Sequence, residues 1–165
     1  MIIFRRIFAC CLLILFADAS LAKEWRGILP LHSARGDVRQ LLGEPLSRDN
    51  SSDHYIFTEG EYVNIDYSQW ACLGLTYHWG NYDVSPGRVL TVTVSYESGI
   101  PLTEFEMPNK EKLAQRQDSC TETVRYFDAE LGVEYSVQDE KVVSVTYGPS
   151  AADSYLRCPE AGSNP

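Results

Sequence analysis

The run Val89-Leu90-Thr91-Val92-Thr93-Val94 (VLTVTV, residues 89–94) returns near the end of the chain as VVSVTY, residues 142–147. Two valines and a threonine repeat in register, and both runs are rich in β-branched residues, which suits a pleated, half-buried strand. Short β-rich runs match by chance, so the weight falls on what precedes each one. Ahead of the first lies DHYIFTEGEYVNIDYS (residues 53–68), whose apolar residues alternate on either side of Glu59-Gly60, a hairpin signature. Ahead of the second lies TVRYFDAELGVEYSV (residues 123–137), a hairpin turning near Glu130 to Gly132.

Each hairpin is itself preceded by a helical stretch. In LPLHSARGDVRQLLGEP (residues 29–45), Ser33 is placed as an N-cap, Val38, Leu41 and Leu42 fall at helical spacing, and Gly43 and Pro45 supply the stop. MPNKEKLAQRQDS (residues 107–119) is a weaker version. The order helix, hairpin, strand therefore occurs over residues 29–98 and again over 102–148. It predicts an α+β fold, an antiparallel sheet with short helices on one face built from two tandem helix-plus-three-strand units.

The halves differ in one place: the first holds roughly 18 extra residues between its second and third strands. They fall in YSQWACLGLTYHWGNYDVSPG (residues 67–87), which is too aromatic for a disordered loop. Trp70, Tyr77, Trp79 and Tyr82 are the candidate binding residues, because tryptophan and tyrosine bury much area at low entropic cost. The competing reading makes the same rings a cover for an open end of the sheet.

Residues 1–22, MIIFRRIFACCLLILFADASLA, place Arg5 and Arg6 before a short apolar run and small residues before Ala22, the pattern of an export signal cleaved after Ala22. The run is well short of the roughly 20 residues that span a bilayer. The expected mature product is one domain over residues 23–160 with a disordered tail at 161–165, periplasmic or extracellular, with no membrane span after cleavage. The formal net charge of the chain is −9, which disfavours nucleic acid and anionic headgroups. Export would leave Cys72, Cys120 and Cys158 where disulfides persist, with three possible pairings.

The pattern Trp-x-Gly-Ile-x-Pro at Trp25–Pro30, Asp-Val-x-x-Leu-Leu-Gly at Asp37–Gly43, a central Cys72, Pro86-Gly87-x-Val89-Leu90 and Leu156-x-Cys158-Pro159 resembles a family of uncharacterised exported bacterial proteins over nearly the whole mature chain. The resemblance implies a Cys72–Cys158 bridge, which would also tie the long insertion to the C-terminal segment. It brings no activity, ligand or catalytic residue. Gly36 departs from it, standing where a better helix former is usual. More distantly, the helix and following hairpin are similar to the fold of BamE-type assembly proteins and of the β-lactamase inhibitor protein, both of which grip other proteins.

Other chemistries find little purchase. QWACLG (residues 69–74) places Cys72 in a context like that of a thiol nucleophile, with His32, His54 and His78 elsewhere, but export favours a bridged cysteine. No His or Cys pair has the spacing of metal ligands, and neither a Gly-x-Ser-x-Gly elbow nor a phosphate-cradling glycine loop occurs. Glu59, Glu61, Glu104, Glu106, Asp128 and Glu130 are not marked as a glycosidase pair by anything in the sequence. Asn50-Ser51-Ser52 is a glycosylation sequon only in a eukaryotic secretory path and otherwise a polar turn. The sequence therefore predicts an exported protein-binding or envelope-associated module that works without catalysis, cofactor or metal, with another envelope or secreted protein as partner. The alternative is a small secreted hydrolase whose active site carries no motif.

Overall fold

The computed structural model describes residues 22–72, 74–75, 79–118 and 121–159. Residues 1–21 of the expected signal, Tyr77, Cys120 and the expected tail lie outside the described residues. The elements are helix α1 (Arg35–Leu42) and strands β1 (Ser47–Arg48), β2 (Ser52–Thr58), β3 (Glu61–Tyr67), β4 (Gly74–Leu75), β5 (Gly80–Asn81), β6 (Val89–Pro101), β7 (Ala114–Gln117), β8 (Val124–Asp128), β9 (Val133–Gln138) and β10 (Lys141–Tyr147). Short 3-10 helices span Lys110–Lys112 and Ala151–Leu156.

Eight strands form one antiparallel sheet in the order β1-β2-β3-β6-β10-β9-β8-β7, and β4 pairs with β5 apart from it. The two runs that open the reading of the sequence are the central pair. Thr93 lies opposite Thr146, their hydroxyl oxygens 3.1 Å apart, and Val92 faces Tyr147 while Val94 faces Val145. Equivalent positions thus meet or exchange across an approximate two-fold axis through Thr93 and Thr146. One row runs straight across all eight strands, from Ser47 through His54, Asn64, Thr93, Thr146, Glu134 and Phe127 to Ala114. Residues directly opposite one another in antiparallel strands share a face, so the neighbouring rows carry the apolar side.

That side is filled twice. Over the first half, α1 and the Trp25–Ile28 segment bury Trp25, Ile28 and Val38 against Tyr55, Val63, Ile65, Val92 and Val94. Over the second, Leu102, Phe105, Met107 and Leu113 close on Val133, Tyr135, Val137, Val142 and Val145. Tyr96 and Tyr147 pack against both clusters. Burial pushes Tyr96 and Tyr135 up to about 12. A buried charge pins α1 to the sheet: Asp53, fully buried, accepts from the Tyr67 hydroxyl at 3.0 Å and lies 3.5 Å from Arg35 Nε. Burial first, and the Asp53 charge second, raise the Tyr67 phenol.

Two expectations about helices are corrected. The described residues of the expected helix 107–119, residues 107–118, form no α-helix: Asn109 Oδ1 accepts from Glu111 N–H and closes a single 3-10 turn, after which Ala114–Gln117 pair with β8. Leu113 alone in Lys110–Gln117 is a sizeable apolar residue, too little for a helical stripe, so sheet pairing prevails. Ser33 is not the N-cap of α1. Its hydroxyl accepts from Leu29 N–H at 2.9 Å and closes the preceding turn. Ala34 occupies the cap, with its N–H held by Asp37 Oδ2 at 2.7 Å, the backward half of a capping box.

Candidate functional site

Where the second half turns from β9 to β10 through Asp139 and Glu140, both with positive φ, the first half spends residues 68–88 between β3 and β6. Ser68 cinches the base of this insertion. Buried between the two strand ends, its hydroxyl donates to Ser85 C=O at 2.6 Å and accepts from Arg88 N–H at 3.1 Å. Backbone bonds from Ser68 N to Arg88 O and from Gly87 N to Ser68 O complete the closure.

The C-terminal segment fastens the insertion from outside. Asp83 N–H donates to Leu156 C=O and Cys158 N–H to Asn81 C=O, while within the insertion Cys72 N–H donates to Tyr82 C=O. Cys72 and Cys158 are joined by a disulfide with their Cα atoms 5.6 Å apart. The bridge implied by the family resemblance is therefore present, and it ties a loop to the chain end across a separation of 86 residues.

The four candidate aromatics divide. Trp79 is buried, with its ring edge-on to Phe127 at 5.0 Å between centroids and its face against Gly148. Tyr82 is buried with Leu31 and Val84 in a third apolar cluster, and burial raises its phenol. These two rings complete the interior, correcting their expected place on a binding surface. Trp70 is 66% exposed, and Tyr155, on the 3-10 helix that leads to Cys158, is 73% exposed. Tyr77 lies outside the described residues.

Between the insertion and the C-terminal helix lies a cleft of about 270 Å³ lined by Leu31, His32, Asp83, Val84, Ser85, Arg88, Tyr155 and Leu156. One wall is braced by Asp153, almost fully buried. Its Oδ2 accepts from the backbone N–H and hydroxyl of Ser150 at 2.8 and 2.9 Å, and its Oδ1 lies 2.9 Å from His32 Nε2. Arg88 donates through a terminal nitrogen to the His32 carbonyl. No group of three or more metal-ligand side chains gathers anywhere among the described residues. No helix among them is long and apolar enough to cross a membrane.

Sequence reasoning missed Ser68, Asp153 and the cleft. Ser150-x-x-Asp153 has the spacing of a capping box, which was the available signal. Nothing local could announce that Asp153 meets His32, which is 121 positions away.

No protein-family model and no curated protein matches the chain. Among solved structures, a DUF4309 family protein (YjgB) from Bacillus subtilis is similar, with a TM-score of 0.47 and 15% sequence identity over 80% of this chain and 90% of that one. A likeness this distant carries no argument about activity, and it adds nothing to the BamE-type resemblance.

Proposed function

We propose that the chain is exported and acts without catalysis, gripping another secreted or envelope protein through the disulfide-tied end of its sheet. The observation that carries this is the pairing of exposure with rigidity: Trp70 and Tyr155 stand open on two segments that Cys72 and Cys158 lock together. Large exposed aromatics on a preorganised frame lose little entropy on binding. Disulfides persist in oxidising compartments, which supports export. Cleavage after Ala22 would keep a bond already in place, because the Lys23 nitrogen donates to Leu131 C=O at 2.9 Å and an N-terminal ammonium can do the same.

The test compares Trp70→Ala and Tyr155→Ala with Ile56→Ala, which removes an exposed side chain from the far end of β2. All three should melt like wild type. The first two should weaken capture of a secreted or envelope partner by about 2 kcal/mol and the third should leave it intact. Equal capture by all three sinks the reading.

The second reading, a small secreted hydrolase, is favoured by one feature: an imidazole oriented by a buried, doubly anchored carboxylate at a cleft wall, the arrangement of a general base and its orienting group. Turnover of any member of a peptide and glycan panel that is lost in His32→Ala would establish it.

A further inference from the structure

The cleft is lined by a cation that forms no ion pair with the rest of the described chain. Arg88 lines it, yet no carboxylate comes within 4.0 Å of its guanidinium among the described residues, although acids outnumber bases by nine in the whole chain. Arg35, Arg48 and Arg125 each lie close to an acid, whereas Arg26, Arg39 and Arg157, like Arg88, have none within 4.0 Å among the described residues; of these four, Arg88 is the one that lines the cleft. The guanidinium is also held in place, since one terminal nitrogen donates to the His32 carbonyl and His32 is braced by Asp153. A fixed arginine without an ion pair, lining a cleft, presents its remaining donors to an anion.

Three neighbours narrow the anion. Asp83 lines the same cleft, so a doubly charged phosphate would meet a like charge, whereas a single carboxylate meets less repulsion. Leu156, half-buried, supplies apolar surface beside the cation. Tyr155 stands at the rim with its ring exposed. We infer that the cleft receives the free C-terminal carboxylate of an extended peptide, with the carboxylate on Arg88 and the last, apolar side chain against Leu156 and the Tyr155 ring. The inference rests on the reading of this end as a protein-gripping surface and specifies which part of a partner is held.

The experiment titrates the intact, disulfide-bonded protein with N-acetyl-Gly-Ala-Leu as the free acid, with the same peptide as its C-terminal amide, and with inorganic phosphate. Binding is followed through the backbone amide resonances. The free acid should shift Leu31, His32, Asp83 and Arg88 saturably. The amide should bind about tenfold to a hundredfold more weakly, because a charge-assisted pair is lost. Phosphate should bind more weakly than the free acid.

Arg88→Leu should reduce the free acid to the level of the amide. Because Arg88 also steadies the His32 carbonyl, Asp83→Asn serves as a second variant that leaves Arg88 in place: it should tighten the free acid about twofold to threefold by removing a like charge. Equal binding of acid and amide, stronger binding of phosphate, or weakened binding in Asp83→Asn would each overturn the inference. If neither peptide binds while Trp70→Ala still loses a captured partner, the carboxylate site is refuted and the rim surface stands.

Discussion

Gly148→Ala should destabilise the protein, and it should do so only while Trp79 is present. A Cβ built on Gly148 would lie 2.5 Å from Trp79 Cζ3 and 2.7 Å from Cε3 and Cη2, distances at which something must shift. Trp79 has little room to move, being 7% exposed and set edge-on against Phe127. Overpacking of this kind costs about 1–3 kcal/mol. Trp79→Ala alone should cost about 3–5 kcal/mol through lost burial and the cavity left behind. In the double variant the methyl group meets empty space, and alanine should be neutral or gain about 0.4–1 kcal/mol through the unfolded chain. Urea unfolding of the four proteins in a double-mutant cycle should therefore show a coupling of about 1–3 kcal/mol, with the double variant more stable than the sum of the singles. Additive costs would refute the packing of the insertion onto the end of β10, and with it the assignment of Trp79 to the interior.

Replacing Cys72 and Cys158 together by serine releases a loop of 86 positions, which the chain-entropy relation values at about 4.5 kcal/mol; a melt unchanged from wild type would mean that the bridge does not form in solution. Asp37→Ala should cost about 1 kcal/mol by freeing the Ala34 N–H, and Gly36→Ala, whose Cβ meets nothing within 4 Å, should gain about 0.5–1 kcal/mol; urea melts check both. Tyr96 and Tyr135 ionise near 12 in the folded chain, above the unfolded value near 10. The native state holds their protons longer, so stability should fall as pH rises from about 10 through about 12, and Tyr96→Phe with Tyr135→Phe should flatten that fall in alkaline melts.

The sheet was legible because its signals are local and repeated. Alternation around Glu59-Gly60 and around Glu130–Gly132 specifies two hairpins, and the match between VLTVTV and VVSVTY places their partners at the two-fold axis. The second helix was misread because Lys110–Gln117 has good helix formers but no apolar face, and propensity without burial yields to a strand edge seeking a partner. The insertion could be recognised as special from its length and aromatics, yet the choice between interior and surface depends on what packs over each ring. Trp79 finds Gly148 and Phe127, Tyr82 finds Leu31 and Val84, and Trp70 finds solvent. The cleft was invisible for the same reason, since its lining comes from residues 31–32, 83–85, 88 and 155–156.

The proposed role requires a partner to sit at the disulfide-tied end of the sheet. Site-specific photo-crosslinking in the producing cell tests this directly, with a photoreactive phenylalanine analogue placed at Trp70, at Tyr155 and, as control, at Ile56. The first two positions should yield one and the same adduct band, absent from the Ile56 control and lost when the Cys72 and Cys158 serine variant loosens the frame. Adducts from Ile56 with none from Trp70 or Tyr155 would place the partner at the other end of the sheet and contradict the account.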